Sequence, residues 1–183
     1  MQERMIHADE ISDLLHEGAL GNARSAYRAG FELEDRKCNR YYVQLQLLRA
    51  AELGYPPAQR CLGILALCHG LQAEKCSFLH PSYNKDYAPA LKWLRKAAHN
   101  KDKLSILILA KCSQLGIGTA ADLTADEREL QRIRASLSRA CTDSIKELFT
   151  HVLPEGESAV FSRQSDFDPL HFFRNTPLFE RVG

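Results

Sequence analysis

The sequence is short of nearly everything that would announce a specialised environment or a familiar chemistry. It has no excess of one charge: 24 lysines and arginines face 23 aspartates and glutamates, for a net charge of +1. That balance removes the usual drive toward nonspecific nucleic-acid or anionic-membrane binding. It has no long hydrophobic run. The longest, residues 61–68, is half a membrane span at most, since a spanning helix needs about 20 apolar residues. The opening Met1-Gln2-Glu3-Arg4 reaches Asp9 and Glu10 before any apolar stretch, so a signal peptide is not expected and a cytoplasmic location is. Sustained period-two alternation bounded by turn residues is missing too, which argues against sheet. What remains is 183 residues, 45% hydrophobic and 26% charged, enough chain to bury one domain's core.

Catalytic signatures are equally sparse. There is no Gly-x-Ser-x-Gly elbow and no phosphate-binding Gly-Lys-Ser/Thr loop. Gly116-x-Gly118-x-x-Ala121 imitates a dinucleotide fingerprint, but that motif needs a strand before it, and here a helix is expected. His16-Glu17 opens like a zinc-protease motif, yet position 20 is Leu20 rather than a second histidine. No nucleophile–base or carboxylate pair can be assigned to one site, and Asp166-Phe167-Asp168 reads as a turn.

The apolar positions that are present recur at helical spacing. Ala58, Cys61, Leu62, Leu65 and Cys68 paint one helix face. Tyr87, Ala90, Leu91, Leu94, Ala97 and Ala98 paint a second, and Leu104, Leu107, Ile108, Cys112 and Leu115 a third. Leu130, Ile133, Leu137 and Ala140 make a fourth, opened by the capping box Thr124-x-x-Glu127. Gly54 suits the left-handed end of a helix, and Pro56-Pro57 the first turn of the next. Gly70, Gly116 and Gly118 are expected to stop two more. The fold class is all-α.

Short helices in antiparallel pairs invite a search for repeats. Gly21-Asn22-Ala23 precedes Ser25 and the pair Ala29-Gly30; thirty-three positions on, Gly54-Tyr55-Pro56 precedes Ala58 and Leu62-Gly63. A shift of forty-seven then places Ala97-Ala98 over Ala50-Ala51, Ser105 over Ala58 and Ala110 over Gly63, the extra length being an insertion near residues 71–85. A glycine inside a helix costs about 1 kcal/mol relative to alanine, so Gly30 and Gly63 imply close helix approach.

These residues resemble a known family. Ala90-Leu91-Lys92-Trp93-Leu94-Arg95-Lys96-Ala97-Ala98 is similar to the second helix of a Sel-1-like repeat, whose pattern runs Lys-Ala-x-x-Trp-x-x-x-Ala-Ala-x-x-Gly. Residues 49–63, Arg49-Ala50-Ala51-Glu52-Leu53-Gly54-Tyr55-Pro56-Pro57-Ala58-Gln59-Arg60-Cys61-Leu62-Gly63, resemble the family's junction and following first helix, and Gly116-Ile117-Gly118 its Gly-x-Gly loop. The likeness covers about residues 20–120, with a degenerate unit over 124–152. Gln46 stands in place of a tryptophan, Lys101 of the junction glycine and Ala66 of a tyrosine.

The resemblance implies a right-handed α-solenoid, related to tetratricopeptide repeats, over residues 1–152. Its implied role is a non-catalytic protein-binding module: an adaptor, scaffold or inhibitory, immunity-type partner, needing no cofactor, that binds a protein or peptide on its concave surface. By analogy the first helix of each pair lines that surface. Once packing positions are removed, its expected exposed residues are Tyr27 and Phe31, then Arg60, Ile64 and Leu67, then Lys111 and Gln114. Exposed Tyr, Phe and Arg are hot-spot residue types. The competing readings are an enzyme and a zinc-stabilised regulatory domain.

The zinc reading rests on Cys68-His69 followed by Cys76 and His80, a candidate four-ligand set bracketing the insertion whose spacing matches no tight finger template. The plainer reading makes the six cysteines (38, 61, 68, 76, 112 and 141) mostly buried reduced thiols, since free cysteine packs as a small hydrophobe. Lys85, Lys92, Arg95, Lys96, Lys101 and Lys103, opposed only by Asp86 and Asp102, form a basic stretch: a solvated face, or one that steers an acidic partner. Residues 153–183 hold five of eight phenylalanines, at 161, 167, 172, 173 and 179, and are expected to cap the last repeat or to form a partner-binding arm.

Overall fold

The computed structural model describes residues 8–76, 87–117 and 127–152. Among them are eight α-helices and no strand: α1 (Ala8–Ala19), α2 (Ala23–Asp35), α3 (Arg40–Glu52), α4 (Pro56–Cys76), α5 (Ala88–His99), α6 (Lys103–Gln114), α7 (Glu127–Ser136) and α8 (Arg139–Val152). The chain is all-α, as its periodicity predicts. The proposed cap at 153–183, His80 and the capping residue Thr124 lie outside the described residues.

One turn geometry recurs along the chain. Gly21, Lys37, Gly54, Lys101 and Gly116 all hold left-handed φ values, between 54° and 100°. The residue after each donates its N–H to the carbonyl five positions back: Asn22 to Glu17, Cys38 to Leu33, Tyr55 to Ala50, Asp102 to Ala97 and Ile117 to Cys112, at 2.9–3.1 Å. Each is a Schellman closure, which satisfies carbonyls that the helix end would leave bare. Gly21, Gly54 and Lys101 are the junctions that the sequence offsets of 33 and 47 bring into alignment. Lys101 adopts φ 62° although it carries a β-carbon, so backbone geometry persists where glycine does not. The following helices are capped alike at two of the three: the Asn22 and Asp102 side chains accept the N–H groups of Ser25 and Ser105, at 3.1 and 2.9 Å.

Contacts run mainly between sequence neighbours. Each helix from α1 to α6 packs on the next and α6 meets α7, while α1 also reaches α3 and α4 reaches α8. Gly30 and Gly63 sit at close contacts between these helices. A β-carbon on Gly30 would lie 3.1 Å from Leu47 Cδ2, and one on Gly63 only 2.7 Å from Leu94 Cγ. Gly30 thus lets α2 seat on α3, and Gly63 lets α4 seat on α5.

Three local expectations need correction. α4 runs on through Gly70 to Cys76. Leu71, Gln72, Ala73, Glu74 and Lys75 are good helix formers, and a single interior glycine costs only about 1 kcal/mol. The fourth apolar stripe is cut between Ser136 and Arg139, leaving Ala140 exposed. There the Ser138 hydroxyl accepts the Cys141 N–H at 3.3 Å, starting α8 afresh. Leu115 ends the third stripe 40% exposed, because it is the C-cap of α6 rather than part of its packed face.

Candidate functional site

α4 decides which residues can reach a partner. It lies between α3 and α5 and also touches α8, and from Ala58 to Cys68 it has no exposed residue. This overturns most of the expected concave face. Ile64 and Leu67 are fully buried, because α4 has neighbours on nearly every side rather than one. Arg60 is buried as well: its guanidinium Nη1 donates to Asp102 Oδ1, and the two side chains are 3% and 11% exposed. Tyr27 is buried between Phe31 and Tyr55, edge-to-face with both at centroid distances of 4.9 and 5.2 Å. Phe31 and Lys111 are half-buried and Gln114 is exposed. The seven residues therefore do not form one open surface.

Among the described residues, four of the seven exposed large hydrophobics are on α3, a helix the expected site did not include. Tyr41 is 65% exposed, Tyr42 55%, and Leu45 and Leu48 37% each, whereas Val43, Gln46, Leu47, Ala50 and Ala51 are buried. Tyr41, Leu45 and Leu48 stand at i, i+4 and i+7, so they form a continuous row on the solvent side. Tyr42 stacks edge-to-face beside Tyr41 at 5.7 Å. The signal was present in Arg40–Glu52, which carries apolar residues around its whole circumference. A helix with one packed face needs only half of them.

The α3 row runs toward an open groove of about 490 Å³, lined by Ala51 and Glu52 of α3, Gln59 of α4, and Arg95, Lys96, His99 and Asn100 of α5. Gln59 anchors its floor. The buried Gln59 amide donates to the Ala51 carbonyl at 3.0 Å and accepts from the Asn100 amide at 3.1 Å. Arg95, Lys96 and His99 in the groove and Lys92 one turn away are all exposed on α5, which contains no acidic residue. Lys96 and Lys92 place their ammonium groups 4.7 and 5.9 Å from the Trp93 ring centroid. Asp102, the described acid nearest in sequence, is turned inward: it pairs with Arg60 and caps α6. Lys85 and Asp86 lie outside the described residues.

Among the described thiols, those of Cys61, Cys68 and Cys112 are packed into the core. Cys38, Cys61, Cys68, Cys112 and Cys141 carry no disulfide. Burial pushes the thiols of Cys68 and Cys112 up to about 12, and that of Cys61 upward also, so each stays protonated at neutral pH. Of the suggested zinc ligands, Cys68 is buried in α4, while the side chains of His69 and Cys76, and all of His80, lie outside the described residues. Among the described residues no group of three or more His, Cys, Asp or Glu could hold a metal ion. No described helix is long and apolar enough to cross a membrane.

No protein-family model, curated protein or solved structure matches the chain.

Proposed function

We propose that this chain is a non-catalytic protein-binding module, an α-solenoid of Sel-1-like helix pairs that presents the outer surfaces of α3 and α5 to a protein or peptide partner. The observation that carries this is the row Tyr41, Leu45 and Leu48, exposed on a helix whose opposite side is already filled by core. Clustered exposed apolar side chains mark interaction surfaces, and tyrosine is a favoured hot-spot residue. The repeat reading is supported by the shared left-handed junctions at Gly21, Gly54 and Lys101, and by the two glycine-mediated helix contacts. Buried, protonated thiols without disulfides suit a reducing compartment, and we place the chain in the cytoplasm as an adaptor or inhibitory partner.

The test is affinity capture from the cells that express the chain, with Tyr41→Ser/Leu45→Ser/Leu48→Ser as the comparison. These side chains face solvent, so helicity and melting temperature should stay close to the parent. Captured partner should fall at least about tenfold, the scale of losing a hot-spot side chain. Equal capture by a folded triple variant would remove the function from this surface.

A further inference from the structure

The chemistry of the occupant can be narrowed, provided that the α3 and α5 surface is the protein-binding site. Across residues 88–114 there are six lysines and arginines (Lys92, Arg95, Lys96, Lys101, Lys103 and Lys111) against Asp102 alone, although the whole chain is nearly neutral at +1. Asp102 is consumed internally by Arg60 and the α6 cap, which leaves Glu52 of α3 as the acid lining the groove beside Arg95, Lys96 and His99. Lys92, Lys96 and His99 stand at i, i+4 and i+7 along α5, the spacing that makes one row. Lys96 and His99 of this row line the groove with Ala51 and Glu52 of α3, and Glu52 stands one helical turn beyond Leu48, the last residue of the apolar row. Both lysine heads lie within 6 Å of the Trp93 ring centroid, so an anion that pairs with them comes to rest beside the indole.

We propose that the occupant is an acidic amphipathic segment of another protein, its apolar side chains on Tyr41, Leu45 and Leu48 and its carboxylates toward Lys92 and Lys96. The apolar row favours protein over nucleic acid. A phosphate backbone would satisfy the cations but would leave two leucines unpaired.

Trp93 is the single tryptophan of the chain and reports binding directly. The full chain is titrated, following Trp93 fluorescence, with a peptide of about four helical turns carrying leucines at i, i+4 and i+7 and flanking glutamates. A second peptide replaces the glutamates with lysines, and oligothymidine serves as the nucleic-acid probe. The glutamate peptide should bind saturably and weaken as salt rises. Lys92→Glu/Lys96→Glu should weaken it at least about tenfold, and Lys92→Gln/Lys96→Gln by less, both with the parent's helicity. No saturable binding up to about 1 mM, or equal binding of the lysine peptide, overturns the proposal. So does oligothymidine binding more tightly than the glutamate peptide. Loss on the α3 triple variant without loss on charge reversal leaves the protein-binding surface standing and removes its acidic partner. Sedimentation showing a dimer dissolved by Lys92→Glu/Lys96→Glu would assign the face to a second copy instead. Affinity that rises about tenfold in Asp166→Lys/Asp168→Lys would assign it to the chain's own C-terminal segment.

Discussion

Arg60 in α4 and Asp102 ahead of α6 form an ion pair, largely buried, that ties α4 to the start of α6. Asp102 is shared between tasks: Oδ1 meets the guanidinium, while Oδ2 accepts the Ser105 N–H at 2.9 Å and the Ser105 hydroxyl at 2.6 Å. A buried carboxylate with several donors is well compensated for its lost hydration, whereas either charge left alone would not be. The arginine that the sequence offered for a partner is thus an internal strut.

Removing one member of this pair should be costly. Asp102→Ala loses both the charge partner and the helix cap, and we expect unfolding free energy to fall by about 3–5 kcal/mol. Asp102→Asn keeps a capping oxygen and should cost less. Urea denaturation measures both, and a loss under about 1 kcal/mol for Asp102→Ala would contradict the buried pairing.

Gly30 and Gly63 should respond differently to alanine. At Gly30 the new methyl meets the Leu47 side chain, Cδ2 at 3.1 Å and Cγ at 3.2 Å, with the Val43 carbonyl oxygen at an ordinary 3.5 Å, and the helix-propensity gain of about 1 kcal/mol offsets most of this milder crowding. At Gly63 the methyl would lie 2.7 Å from Leu94 Cγ and 3.1 Å from the Leu94 backbone nitrogen, so α4 and α5 must separate. Gly30→Ala should be nearly neutral, and Gly63→Ala destabilising by about 1–3 kcal/mol, the usual range for overpacking. Thermal unfolding of the two variants side by side decides it.

Lys101 sits in a backbone conformation that costs an L-residue about 1–2 kcal/mol. Lys101→Gly should relieve that cost and lose part of the gain to the greater freedom of the unfolded chain, for a net stabilisation of about 0.5–1 kcal/mol. Lys101→Val should destabilise instead. A lower melting temperature for the glycine variant would count against the left-handed junction.

The raised thiols make stability depend on pH in the alkaline range. An unfolded cysteine loses its proton near about 8.5, while native Cys68 and Cys112 hold theirs to about 12. Between those values the native state binds more protons than the unfolded one, so stability falls as pH rises and is fully present below the window. The slope approaches about 1.4 kcal/mol per thiol per pH unit. Denaturant melts at pH 8 and pH 10 should show a shallower decline for Cys68→Ala/Cys112→Ala than for the parent; equal declines would mean that these thiols are not buried.

Helix identity was legible in the sequence because it is set over a few residues. The apolar spacing of Ala58–Cys68 and Tyr87–Ala98, the left-handed turn at Gly54 and the close approaches at Gly30 and Gly63 all express short-range geometry, and the structure has each of them. The basic face of α5 was legible for the same reason. What only tertiary structure decided is how many neighbours each helix has. Periodicity counts one packed face per helix, so Arg60, Ile64 and Leu67 look free once the stripe through Cys61 and Leu65 is removed. With α3, α5 and α8 around it, α4 has nearly no outer face, and even its arginine must be paired inside. α3 departs in the other direction: its second apolar row has no helix to meet among the described residues. Burial depends on contacts between residues far apart in the chain: apolar residues all around α3 signal a surplus face, but not which of its rows a neighbour covers.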